Sequence, residues 1–301
     1  MNKNKSTDLN KYLNPIREFV GKMPSLKKND KVYLFNDAIS WDTIAKLEKT
    51  IKSQTIDTLY FILNSPGGSL DYAYEAAYIL NTHCTKVVGL FPYGAFSAST
   101  LLALSFDELR FGTFGHLGPT DVQTPKYEAG EGYSQNSCED IFKAYDVVIA
   151  KVMEAMDQSA GSLKVNHDLN IFESFKLSTQ MIEPLTKPIL SKIDPKVLGE
   201  HARARDLSLE YGIRILRDIR GFEKYHAKYV AGTLAHEYPS HGFRIKADEV
   251  REMGLNVQKP NEDEVHLMSL VSDLLCNVES FQGFLDKPVE PNSKNIKKVR
   301  K

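Results

Sequence analysis

The feature that most constrains this chain is Thr58-Leu59-Tyr60-Phe61-Ile62-Leu63, a nearly unbroken apolar run ending in Asn64-Ser65-Pro66-Gly67-Gly68-Ser69. A strand apolar at successive positions has both faces covered, as in a parallel sheet. Ala73, Ala76, Ala77 and Leu80 then recur at helical spacing. Lys31 to Asn36 reads as a strand, and Asp42 to Lys52 follows as a helix through Ile44, Leu47 and Ile51. Further on, Thr85 to Phe91 reads as a strand, Ser97 to Ser105 as a helix and Glu108 to Gly112 as a strand, closed by a turn over Gly115 to Pro119. This alternation predicts an α/β protein with right-handed crossovers around a parallel core.

Beyond Thr120 the pattern changes. A long loop is expected up to Ser137, then mainly helices from Cys138 to Ala235, with Pro184, Pro188 and Pro195 as interruptions. Residues 1–30 read as a polar lead-in and 287–301 as a disordered basic tail. One domain is expected over 31–286, with its core at 31–121 and a helical part at 138–286.

Composition narrows the classes. With 42% hydrophobic and 26% charged residues the chain is an ordinary globular one, and 38 basic against 39 acidic residues removes the footprint of a nucleic-acid binder. Cys84, Cys138 and Cys276 form no CxxC pair, so neither a disulfide framework nor a zinc ribbon is supported and a reducing, cytoplasmic setting is expected. Lys3 and Lys5 precede no apolar signal region, and no stretch of about 18 apolar residues follows, so no integral membrane segment is expected. Peripheral membrane association stays open.

Two strand-to-helix junctions carry the chemistry. In Ser65-Pro66-Gly67-Gly68 the glycines permit positive φ and close approach, so backbone N–H groups can face a ligand oxygen. Gly94-Ala95-Phe96-Ser97-Ala98-Ser99-Thr100 opens the next helix with small residues. A serine there is ordinarily a helix cap. Two such turns in adjacent units would instead bring N–H donors and a hydroxyl into one cleft, as acyl transfer requires.

These segments, with Asp107-Glu108-Leu109-Arg110-Phe111-Gly112 and Leu117-Gly118-Pro119-Thr120-Asp121, resemble the Clp/crotonase-fold serine peptidases, and most closely the serine dehydrogenase proteinase (SDH) group. That group is related to signal peptide peptidase A and to the Clp protease proteolytic subunit. The resemblance covers Val32 to Asp121, with weaker echoes at Lys192 to Pro195 and His236 to Pro239. It implies a repeated β-β-α superhelix, a polypeptide substrate and homo-oligomers. It also implies Ser97 as nucleophile, an oxyanion hole from Gly67 or Gly68 with Ala98, and no cofactor. Ser99 departs from the family's usual glycine. The histidine position of the Clp subunits falls on or near Asp121, so a Ser-His-Asp triad has no support at this level. A Ser/Lys dyad is the implied alternative, with Lys187 as base, Lys143 second and His116 a further alternative.

Other motifs carry less. His236-Glu237-Tyr238-Pro239-Ser240-His241 has one residue too many and a proline for an HExxH zinc site, so no metal is expected. No phosphate-binding glycine motif follows a strand. A non-catalytic scaffold and a crotonase-type acyl-CoA enzyme are the rival functions. The second would need paired carboxylates and an adenine pocket, and the sequence shows neither.

Overall fold

The computed structural model describes residues 9–128, 132–192 and 194–286; the start of the lead-in and the 287–301 tail lie outside the described residues. The chain divides into two compact units, Met1–Asp121 with Leu207–Lys301, and Val122–Asp206. Residues 207–286 therefore group with the strand core, a division different from the one the sequence suggests.

The first unit contains α1 (Leu9–Lys22), β1 (Lys31–Asn36), α2 (Trp41–Ile51), β2 (Ile56–Asn64), α3 (Leu70–His83), β3 (Cys84–Phe91), β4 (Gly94–Ala95), α4 (Ala98–Ala103), β5 (Glu108–Phe111) and β6 (His116–Leu117). Four strands of its five-stranded sheet run parallel in the order β5-β3-β2-β1. The mixed α/β, parallel-rich architecture expected from the apolar strands is thus present.

Alternation along the strands sorts the core. Val32, Leu34, Ile62, Val88 and Leu90 join Leu13, Ile16 and Val20 of α1 in one buried cluster. Tyr33, Phe35, Phe61, Phe91 and Phe106 form a chain of neighbouring rings. Because α1 buries an apolar stripe in that first cluster, the lead-in is more than polar chain: it contributes to the core.

The second unit begins with a hairpin where a loop was expected, β7 (Gln123–Glu128) paired antiparallel with β8 (Gly132–Ser137). A polar two-stranded ribbon carries no apolar alternation to announce it. α5 (Cys138–His167) and α6 (Ile171–Leu190) follow. Contrary to expectation, α6 runs through Pro184 and Pro188. Each proline denies a donor to the carbonyl four residues earlier, and the four-residue spacing puts both losses on one face, where both prolines are exposed and water can replace them.

α7 (Pro195–Arg214) continues into a π-helical turn at Ile215–Ile219, closed by the Arg220 N–H to the Ile215 carbonyl at 3.1 Å. The first unit ends with α8 (Lys224–His236), α9 (Ala247–Glu252), α10 (Glu262–Asn277) and β9 (Phe281–Phe284), which pairs antiparallel with β1. The apolar residues Leu267, Met268, Val271 and Leu274 of α10 complete the cluster that includes α1. Among the described residues no helix is long and apolar enough to cross a membrane.

Candidate active site

The two glycine-bearing turns do meet. A Cβ placed on Gly67 would stand 2.6 Å from the Phe96 carbonyl oxygen, 3.0 Å from Ser97 Cβ and 3.2 Å from the Ala98 nitrogen. Gly67 has φ +100° and Gly68 φ +142°, values that favour glycine. The second turn is held to the first by Ser65 N–H to the Gly94 carbonyl (3.2 Å) and Phe96 N–H to the Ser65 carbonyl (3.1 Å).

Ser97 is half-buried and precedes α4 with φ 52° and ψ −121°; its hydroxyl makes no cap hydrogen bond. The ordinary reading of a helix-start serine therefore does not apply. Its N–H donates to the Pro119 carbonyl at 3.0 Å, and its carbonyl accepts from Leu101 N–H at 3.1 Å. Ser99, the departure from the family pattern, is fully buried and its Oγ contacts the carbonyl oxygens of Ser65 (3.0 Å) and Phe96 (2.7 Å). That hydroxyl ties the two turns together.

The N–H groups divide unequally. Gly67 N–H already donates to Ser65 Oγ at 3.1 Å. Gly68 N–H has no acceptor among the described residues, since the Ile39 bridge uses Ile39 N–H to the Gly67 carbonyl and Ser69 N–H to the Ile39 carbonyl. Ala98 is the first residue of α4, whose own turns offer its N–H no acceptor. Gly68 and Ala98 thus each keep an N–H without an acceptor among the described residues, and Gly67 supplies the close approach of the two turns.

The candidate bases are placed as follows. Lys187 is exposed on α6 and Lys143 exposed on α5, both in the Val122–Asp206 unit, whereas Ser97 belongs to the other. A lysine base needs desolvation to lower its pKa. His116 is buried on β6, its Nδ1 2.8 Å from the Phe114 carbonyl and its ring edge-on to Phe96.

One pair escaped sequence reasoning. The parallel bridge of Ala95 to Leu117 sets residues 116–121 beside the Ser97 turn, and the antiparallel bridge of Leu117 to Ile245 sets them beside residues 241–245. Four residues along that second register Asp121 faces His241, and His241 Nδ1 lies 2.8 Å from Asp121 Oδ1. A carboxylate only accepts, so Nδ1 carries a proton, and in the neutral ring Nε2 is the acceptor nitrogen. The signal available in sequence was Asp121 at the family's histidine position; its partner stands 120 residues away, two residues past the weak family echo at His236 to Pro239 and inside the rejected zinc motif. Among the described residues no group of three or more His, Cys, Asp or Glu side chains could hold a metal ion.

No family model matches the chain. A curated relative, an uncharacterized protein of Methanocaldococcus jannaschii, is 23% identical over 217 residues, 72% of this chain, and the chain spans 58% of that relative's length. Among solved structures, a point mutant of ClpP1 from Listeria monocytogenes is similar at TM-score 0.36 and 11% identity, over 78% of this chain and 94% of that one. A mutant of 1510-N, a membrane-bound stomatin-specific protease in complex with a substrate peptide, is similar at TM-score 0.30 and 14% identity, over 83% of this chain and 99% of that one.

Proposed function

We propose that the protein is a serine peptidase of the Clp/crotonase fold with Ser97 as nucleophile. The observation that carries this is the Ser97 turn itself: a strained serine with an uncommitted hydroxyl, packed against a double-glycine turn beside two spare N–H groups. Ser97 Oγ attacks a peptide carbonyl, His241 Nε2 takes its proton, and Asp121 orients and stabilises the imidazolium. Gly68 and Ala98 N–H groups receive the oxyanion. The protonated base then gives its proton to the leaving amine, and water hydrolyses the acyl-enzyme. The expected polypeptide substrate, homo-oligomer and cytoplasmic setting belong to this same reading.

Lys187 is the rival base from the sequence. Casein hydrolysis by wild type, Ser97→Ala, His241→Ala and Lys187→Ala separates the two. We expect Ser97→Ala and His241→Ala each to lower kcat by about a thousandfold or more, and Lys187→Ala to keep the wild-type rate. Loss in Lys187→Ala with activity kept in His241→Ala would install the lysine dyad. Equal rates in all four proteins would leave a non-catalytic scaffold.

A further inference from the structure

His241 is carried on a turn, and a turn presents a side chain only as firmly as its two ends are anchored. Phe243 N–H donates to the Ser240 carbonyl at 3.0 Å, so Ser240 to Phe243 form a β-turn with His241 at its second position. The downstream end is fixed by backbone: Ile245 N–H donates to the Leu117 carbonyl (2.9 Å) and Leu117 N–H to the Ile245 carbonyl (3.0 Å). Upstream there is no such hold. Pro239 has no N–H to give, and among the described residues no strand pairs with residues 238–241.

A side chain anchors that upstream end instead. Tyr238 is half-buried, its hydroxyl donates to Glu249 Oε1 at 2.7 Å, and its ring centre lies 5.0 Å from that of Phe243. The two rings close the turn on itself, one on either side of His241 in sequence. Glu249 is a firm anchor because α9 is tied to strands at both ends. Ahead of it stands the Ile245 to Leu117 pairing with β6; behind it Leu109 of β5 donates to the Asn256 carbonyl (2.9 Å) and accepts from Gln258 N–H (3.0 Å). Burial first, and then the Glu249 carboxylate, push the Tyr238 phenol well above its ordinary pKa, so it remains a donor at neutral pH.

We infer that Tyr238 is a positioning residue for His241: through its bond to Glu249 and its contact with Phe243 it holds the turn where His241 Nδ1 meets Asp121 Oδ1 at 2.8 Å. That pair tolerates little movement, since a hydrogen bond is lost beyond about 3.5 Å. Asp121 cannot follow a displaced partner, because the residue before it is held on both sides: Thr120 N–H donates to the Leu234 carbonyl (2.8 Å) and Ser208 Oγ to the Thr120 carbonyl (2.6 Å). The alignment therefore has to come from the His241 side. The inference rests on the proposed peptidase reading for its effect on hydrolysis, and on the geometry alone for its effect on the His241–Asp121 pair.

Proton–nitrogen NMR of the nitrogen-15 labelled full chain, in mildly alkaline buffer, reads which His241 nitrogen carries the proton, with casein hydrolysis followed beside it. Wild type is expected to hold the Nδ1–H form. Tyr238→Phe keeps the ring against Phe243 and deletes the hydroxyl, so it should give a mixture of the two tautomers and lower kcat about tenfold with KM within about twofold. Glu249→Ala breaks the same bond from its other partner, should do the same, and decides the matter if Tyr238→Phe fails to fold. Glu249→Gln keeps an oxygen to accept from Tyr238 and is expected to hold the wild-type tautomer and rate. An unchanged Nδ1–H form in Tyr238→Phe or in Glu249→Ala overturns the proposal, whatever the variant loses in rate or in urea stability. Mixed tautomers with undiminished hydrolysis would keep Tyr238 as a positioning residue and remove His241 as the base. Unchanged tautomers in Tyr238→Phe beside inactive Ser97→Ala and His241→Ala would do the reverse.

Discussion

Ser97 sits in a backbone conformation that costs a residue with a side chain about 1–3 kcal/mol, so the surrounding bonds must over-determine it. They come from three directions: Ser97 N–H to Pro119, Ser99 Oγ against Ser65 and Phe96, and Thr100 Oγ1 against the Ala95 (2.7 Å) and Gly118 (2.8 Å) carbonyls. Gly67 is the position where this arrangement has no slack. Gly67→Ala forces positive φ on alanine and drives Cβ into the Phe96 carbonyl and the Ser97 turn, both of them backbone or anchored by it. We expect it to destabilise by about 2 kcal/mol or more and to abolish hydrolysis. Gly21→Ala, in α1 with nothing near the new methyl, should instead be neutral or stabilise by up to about 1 kcal/mol. Urea unfolding and casein hydrolysis of the two variants check the contrast; similar behaviour would mean that the Gly67 approach is not a constraint. At this scale the small residues around Ser97 were legible. Its strain was not, because a φ value comes from bonds to Pro119 and Ser65 that lie far off in sequence.

Among the elements, α10 shares an apolar cluster with Val88 and Leu90 of β3 and is joined to β5 by charge. Glu264 is fully buried, closes the capping box of α10 with Asn261, and pairs with Arg110 of β5, which also pairs with Glu108. Glu108 in turn receives Lys86 from β3. Removing one member of a buried pair strands its partner's charge. Arg110→Ala is expected to cost about 3–5 kcal/mol in urea unfolding, and adding Glu264→Gln should recover part of that; a double variant no better than the single would place the loss in packing. The strands β1, β2 and β3 and helices α2 and α3 were legible because covered faces impose strict apolar spacing. Three elements hid for distinct reasons. The β7–β8 ribbon is polar, α6 carries two prolines on an exposed face, and β6 is two residues long, yet its register with residues 241–245 is what brings His241 to Asp121.

For the molecule as a whole, the lysine-rich start concealed a structural segment. Charge dominates its composition, but Leu13, Ile16 and Val20 fall on one stripe of α1 and are 4% exposed or less. They lie in one cluster with Leu267, Val271 and Leu274 of α10 and with Val32, Leu34, Ile62, Val88 and Leu90 of the sheet. The strands could not stay apolar on that face without this cover, so α1 is part of what makes the parallel sheet possible. Truncating a buried Leu or Ile to Ala costs about 2–5 kcal/mol, and a domain has only about 5–15 kcal/mol to lose. Leu13→Ala with Ile16→Ala is therefore expected to lower unfolding free energy by about 4 kcal/mol or more, less than additive if the two cavities merge. The urea midpoint should fall with an unchanged slope, since both variants still expose the same surface on unfolding. A loss below about 1 kcal/mol would show that α1 rests on the sheet as a dispensable cover rather than as part of its core.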